Sequence, residues 1–325
     1  MNIDLTIIVP HCNTPDYLLR LLESIPSRDN IQVIVTDDRS DKNLDAYVGI
    51  KNDCRFGHVT FLKNTKGNKG AGTCRNIGLQ YAKGTWVLFA DADDFFVEGF
   101  YDIVEEYFTV EHDVVFFVPT SMDMDTLQKS FRHLHYEDII TNYIKAPTLR
   151  SELQLRYFLS SPWSKMIKLA LIQSHNIRFD EILVSNDIAF TTKIGFYMSS
   201  FYVSDKTIYC VTSSSGSLTK SLNETIYDIR LDVFFWRYNF LRNHLSKKEF
   251  YMLDYLYEWV KIAEVITYKL GFKKMIRVMR RFKENKVTII NKRFLNPIFF
   301  IKTVKWMIRG YLMHRNNKRF YAREQ

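Results

Sequence analysis

Trp86-Val87-Leu88-Phe89-Ala90-Asp91-Ala92-Asp93-Asp94 is an unbroken apolar run that ends in three carboxylates within four residues. A run this short, with Gly84 before it and acids after it, reads as a strand buried on both faces of a sheet. Carboxylates crowded at the end of such a strand repel one another and ask for a compensating cation. Mg²⁺ or Mn²⁺ suits them, because these ions take one or two carboxylates and complete their shell with phosphate oxygens or water. On these residues alone, a solvated acidic turn that caps the next helix is an equal alternative.

Outward from this strand the same grammar repeats. Apolar runs at 5–10, 32–36, 59–62 and 113–118 read as further strands, and the run above extends to 85–90. Helical segments lie near 15–25, 70–82 and 98–108, the first opened by Thr14-Pro15 as cap and first-turn proline. Alternating strand and helix predicts an α/β chain with a doubly wound, mostly parallel sheet. Such sheets bind ligands at the carboxyl ends of their strands. Those ends carry Pro10-His11-Cys12-Asn13, Asp37-Asp38-Arg39-Ser40 and Asp91-Ala92-Asp93-Asp94. The segment from Asn68 through Gly70, Gly72, Arg75 and Asn76 to Gly78 adds glycines for close backbone approach and a helix start with free N–H groups. It matches neither the P-loop nor the GxGxxG pattern.

Beyond residue 119 the pattern is mixed. Residues 151–175 read as helical and contain Pro162-Trp163-Ser164-Lys165. Short strands at 201–203 and 206–210 flank a turn at Ser204-Asp205, the small residues of 212–217 read as a lid loop, and from about 224 onward the pattern is helical.

The composition, 46% hydrophobic and 25% charged, is that of a folded globular chain. Cys12, Cys54, Cys74 and Cys210 show no paired spacing and read as reduced thiols. The start, Met1-Asn2-Ile3-Asp4, has no basic segment and reads as the approach to a strand rather than a leader; no apolar window is long enough to span a bilayer. Residues 271–325 hold 16 Lys/Arg against 2 Asp/Glu, a net of +14, while the whole chain is +9. The body is therefore mildly acidic and the tail strongly basic, which is a signal about partners.

The ordered motifs together resemble inverting glycosyltransferase family 2, which has the GT-A fold. The resemblance rests on Pro10-His11-Cys12-Asn13, on Val35-Thr36-Asp37-Asp38-Arg39-Ser40, on Asn68 to Gly78, and on Gly84 to Asp94. It implies a nucleotide pocket built from Pro10, Asn13, Asp37, Asp38, Gly70, Arg75, Asn76, Asp91, Ala92 and Asp93. Within it Asp38, with Asp37, would hold the uridine, while Asp91 and Asp93 would hold Mn²⁺ or Mg²⁺ against the diphosphate of a UDP-sugar donor. The family places its catalytic base in a Glu-Asp pair well beyond the Asp-x-Asp. Phe179-Asp180-Glu181 and Ser185-Asn186-Asp187 put Asp187 in that position, with Asn186 where Glu is usual. The expected reaction is transfer of a sugar to a hydroxyl of a glycan or lipid-linked acceptor in surface or capsular polysaccharide synthesis. The competing expectation is a catalytically silent partner subunit of a glycosyltransferase complex.

The resemblance and the pattern together predict a catalytic domain over 1–222, with a nucleotide-binding part at 1–110 and an acceptor part at 119–222, then a helical basic region over 223–325. In the tail Phe300, Ile301, Val304, Met307, Ile308 and Tyr311 share a helical face flanked by Lys302, Lys305 and Arg309. A basic amphipathic helix of this kind fits an anionic membrane surface, which predicts a cytoplasmic protein held peripherally on the inner face of the cell membrane. A helix packed on the catalytic domain is the alternative. No nucleic-acid recognition module is present, so nucleic acid is not expected as a partner.

Overall fold

Strands β1 (Leu5–His11), β2 (Ile31–Asp37), β3 (Val59–Lys63) and β4 (Trp86–Phe89) form where the sequence carries its apolar runs. They pair in parallel, β1 lying between β2 and β4, with Leu5 opposite both Ile31 and Trp86. The computed structural model describes residues 3–65, 68–126, 128–213, 223–253, 261–262, 264–266 and 268–287. The chain divides into two compact units, Met1–Ser221 and Leu222–Gln325.

In the first unit β5 (Phe95–Phe96), β6 (Val114–Asp123), β7 (Lys165–Lys168) and β8 (Phe201–Ser213) complete an eight-stranded sheet of order β3-β2-β1-β4-β7-β6-β8-β5. β6 and β8 are parallel, β7 is antiparallel to both of its neighbours, and β5 is antiparallel to β8. Period-two alternation divides the apolar side chains between two cores. Ile7, Val33, Val35, Trp86 and Leu88 enter one, and Ile8, Val87, Phe89, Phe116 and Ile167 the other. Burial on both faces explains why these strands read as continuous apolar runs.

Helices α1 (Pro15–Glu23), α2 (Leu44–Asn52), α3 (Ala71–Tyr81), α4 (Phe100–Glu105), α5 (Leu134–Lys145), α6 (Leu149–Phe158), α7 (Leu169–Ser174) and α8 (Ile188–Tyr197) follow in chain order. Pro15 takes the first turn of α1, but the Thr14 side chain makes no capping bond. The expected helix over 151–175 is corrected. α6 ends at Phe158, and Lys165–Lys168 is a strand, because its Lys-Met-Ile-Lys pairs between β4 and β6. The expected strands at 201–203 and 206–210 are one strand, β8, whose pairing with β6 shifts register between Phe116 and Thr120. Much of the expected lid loop and the whole Phe300-to-Tyr311 face lie outside the described residues.

The second unit contains α9 (Glu224–His244), α10 (Lys247–Met252) and α11 (Phe272–Glu284). Asn223 caps α9 through Ile226 N, and Ser246 with Glu249 forms a capping box on α10. Tyr227, Leu231, Phe235 and Tyr238 of α9 pack on Val278 and Phe282 of α11. Lys274 is buried and its Nζ donates to Asp228 at 2.6 Å and Glu224 at 3.0 Å, pinning α11 to α9. Arg281 reaches Asp232 in the same way. Among the described residues no helix is long and apolar enough to cross a membrane.

Candidate active site

The acidic end of β4 turns sharply, with Asp94 N donating to Asp91 O at 3.0 Å. Asp94 points inward and is 1% exposed. Its Oδ1 accepts from Thr212 N at 2.7 Å and its Oδ2 from the Tyr209 hydroxyl at 2.9 Å. Tyr209 in turn accepts from Asp91 N at 2.8 Å. Burial and the charges of Asp93 and Asp91 hold the Asp94 carboxyl well above its usual range. This residue is a structural post, held by Tyr209 and Thr212 of β8.

Asp91 and Asp93 remain partly exposed. The Asp93 carboxylate has no hydrogen-bonded side-chain partner among the described residues; its backbone oxygen accepts from Arg20 at 2.6 Å and from Thr212 Oγ1 at 2.7 Å. Burial, then the Asp91 charge, push Asp93 up, against the pull of Arg132 and Arg20. Oxygens of Asp91, Asp93 and Asp94 lie within 4.8 Å of one another. With Asp94 engaged internally and Asp91 Oδ1 held by Arg75, the Asp93 carboxylate and the second Asp91 oxygen are what remain to meet a cation. An unpaired carboxylate beside a second one is the donor set that a hard divalent ion favours, so the residues fit Mn²⁺ or Mg²⁺. Ala92 between them is buried in the core.

Arg75 ties this edge to the later part of the chain. It is 4% exposed on α3, donates to Asp91 and, at 2.9 Å, to Asn186 Oδ1, and lies over the Phe179 ring. Asn186 therefore accepts from Arg75, where a Glu would have formed an ion pair. Asp187 follows at the start of α8, yet its side chain makes no capping bond. Burial raises its pKa, Arg75 and Lys165 pull it down, and Asp91 adds a push upward. Asp187, Arg75 and Asp91 thus lie within electrostatic reach of one another.

The start of α3 is tight. Gly70 has φ +145°, which L side chains rarely adopt, and a Cβ on Gly72 would sit 2.2 Å from Asp180 O. Asn76 exchanges hydrogen bonds with Phe179, donating to its oxygen at 2.9 Å and accepting from its nitrogen at 2.9 Å. It fastens 177–187 to α3, a positioning role that the sequence pattern did not distinguish from ligand contact.

At the β1 and β2 ends, Pro10 pairs with Thr36 in the sheet. Asn13, at φ 61°, accepts from Asp41 N and Lys42 N through Oδ1, both at 2.9 Å, and shapes the following loop. Asp37 is used internally: Oδ1 accepts from Ser40 Oγ at 2.5 Å and meets His11 Nδ1 at 3.2 Å. His11 Nε2 accepts from Thr14 N, so the Nδ1–H tautomer fits both contacts, and burial lowers its pKa. Asp38 accepts from Asn64 Nδ2 at 2.8 Å.

No sequence motif marks Arg20, Arg132 or Tyr209, and Thr212 stands out only as the first residue of the expected lid loop. All four reach the acidic edge from other elements. In the sequence Lys165 stands out only within Pro162-Trp163-Ser164-Lys165. It is 3% exposed, donates to Leu159 O at 2.6 Å, and burial pushes its pKa down to about 7 against the pull of Asp187. Cys12, Cys54, Cys74 and Cys210 are free thiols.

Similarity to known proteins bears on the family and the fold. The family model described as Glycosyl transferase family 2 matches residues 6–168. The chain is 26% identical over 249 residues to glycosyltransferase GlyA of Streptococcus pneumoniae, covering 74% of this chain and 35% of GlyA. It is 28% identical over 220 residues to the poly(ribitol-phosphate) β-N-acetylglucosaminyltransferase TarS of Staphylococcus aureus, covering 65% of this chain and 36% of TarS. The chain thus spans about a third of these relatives, and only 19% of another. The crystal structure of TarS 1–349 in complex with UDP-GlcNAc superposes with TM-score 0.63 at 20% identity, covering 97% of this chain and 92% of that one. Mannosyltransferase PcManGT of Pyrobaculum calidifontis, in complex with GDP-Man and Mn²⁺, gives TM-score 0.56 at 15% identity, covering 100% of this chain and 89% of that one. At these identities the structures speak for the fold alone, and that fold is GT-A. The family match spans half of the chain and includes β1 through β7: the chain belongs to glycosyl transferase family 2.

Proposed function

We propose that the chain transfers a sugar from a UDP-sugar to an acceptor hydroxyl in cell-surface polysaccharide synthesis, with inversion at the anomeric carbon. The observation that supports this reading is the bridge made by Arg75, which joins the Asp91 edge to Asn186, the chain neighbour of Asp187. The uracil and ribose fall to Asp38 and the neighbouring β2 edge, where Asp37 works indirectly by fixing Ser40 and His11. A divalent cation bound by Asp91 and Asp93 would neutralise charge on the leaving diphosphate. Asp187 takes the proton of the acceptor hydroxyl as that oxygen attacks the anomeric carbon. The bond to the diphosphate breaks on the opposite face, so an α-linked donor gives a β-linked product. A positioned base of this kind contributes roughly 10²–10⁴-fold. Support for a uridine nucleotide and for a polymer acceptor comes from the printed names of TarS, and for the metal from PcManGT and the carboxylate cluster.

The test is incubation of the protein with Mn²⁺ and UDP-glucose, UDP-galactose, their N-acetyl forms and UDP-glucuronate, with UDP release as readout. Turnover or UDP binding with one donor supports the reading; neither with any donor overturns it.

A further inference from the structure

Helix α11 has two apolar stripes where packing needs one. Val278 and Phe282 face the core of the second unit, beside buried Lys274. Phe272, Ile276 and Met279, spaced i, i+4 and i+7, form a separate stripe that is 78%, 45% and 47% exposed. Exposed Lys273, Arg280 and Lys283 stand on or beside that stripe and make no ion pair among the described residues. The acids nearby do not offset them. Glu224, Asp228 and Asp232 pair with Lys274, Arg277 and Arg281 on the side that faces α9, and Glu284 is the single acid on α11 itself.

We propose that this face of α11 docks on an anionic lipid surface, its three apolar side chains entering the headgroup boundary and its free cations meeting lipid phosphates. Exposed apolar side chains flanked by cations on one helix face are the pattern of interfacial helices. A nucleic acid would neutralise the same cations but offers no apolar phase to Phe272, Ile276 and Met279. Neither contribution alone anchors a protein stably, and here both lie on one helix of about 20 Å. This proposal is independent of the transfer chemistry. The sequence pattern puts membrane contact on residues 271–325, with the basic cluster of Lys273 to Lys283 included and the apolar face at 300–311; α11 supplies an apolar face beside that cluster itself.

The test is co-sedimentation of the full chain with vesicles of phosphatidylcholine, with and without phosphatidylglycerol, at low and high salt. Binding should require phosphatidylglycerol and weaken at high salt. The triple variant Phe272→Ser, Ile276→Ser, Met279→Ser should lose roughly tenfold or more in partitioning with an unchanged melting temperature. The triple variant Lys273→Glu, Arg280→Glu, Lys283→Glu should lose about a hundredfold at low salt. The proposal fails if the full chain ignores anionic vesicles, or if either triple variant binds as the parent does. A drop of several degrees in the melting temperature of the apolar variant also overturns it, because the stripe is then covered by the chain itself, for example by residues 288–325. Tighter binding to a short DNA duplex than to anionic vesicles, indifferent to the apolar substitutions, would assign the face to nucleic acid instead.

Discussion

Asp93 and Asp94 are adjacent carboxylates in unlike surroundings. Asp94 receives Thr212 N and the Tyr209 hydroxyl in the core, while Asp93 faces Asp91 without a hydrogen-bonded side-chain partner among the described residues. Asp93→Ala should therefore abolish Mn²⁺-dependent affinity for UDP while leaving the melting temperature unchanged or raised, since it relieves repulsion. Asp94→Ala should cost about 1–3 kcal/mol of stability, because two buried donors lose their acceptor. Calorimetry with UDP and thermal melting of both variants separate the roles. The sequence marked the acidic cluster but could not rank its members, because the ranking depends on Tyr209 and Thr212, more than a hundred residues away. Asp187 gives a pH prediction. Burial raises its pKa, and the base must be ionised to work, so the rate should fall on the acid side at a pH above the usual carboxylate range. Arg75 opposes that shift, so Arg75→Met should move the acid limb to higher pH still, as read from a rate profile. An acid limb that stays in place would mean that Arg75 does not reach Asp187.

At the scale of elements, the buried parallel strands were legible because burial on both faces leaves an unbroken apolar run, as in Trp86–Phe89. β7 was not, because Lys165–Lys168 has lysines at both ends and only Met166 and Ile167 between them. Its strand identity comes from its neighbours β4 and β6, which is tertiary information. The β8 sequence reads as two strands because Ser204-Asp205 looks like a turn, whereas the strand runs through and absorbs the irregularity as a register shift against β6. Helix α3 shows the reverse case, in which sequence glycines do report geometry. Gly72→Ala would place a methyl carbon against Asp180 O, so the segment carrying Phe179 and Asn186 must move. A loss of about 1–3 kcal/mol in stability is expected, along with activity, measured by denaturant unfolding and turnover. In the second unit Lys274→Met removes the partner of Asp228 and Glu224. Those carboxylates are partly exposed and recover water, so the expected cost is about 2 kcal/mol rather than the larger penalty of a fully buried pair.

Over the whole molecule, what the sequence made readable follows the distribution of local signals. The first 110 residues carry strand runs, strand-end acids and helix glycines in fixed order, and each has a local physical cause. The later part of the first unit supplies Arg132, Lys165, Asp187, Tyr209 and Thr212 from separate elements, and only Asp187 was found, through family resemblance. The basic tail was visible as charge, but which face carries exposed apolar side chains on α11 needed the packing of α9 to show. The measurement that tests the account most directly is Mn²⁺-dependent UDP release from a UDP-sugar, compared between the unmodified chain and Asp187→Asn. Turnover by the parent and a loss of roughly 10²–10⁴-fold in the variant are expected, with UDP affinity retained because the donor edge is untouched. Equal turnover by the two proteins, or no binding of any UDP-sugar by the parent, would contradict it.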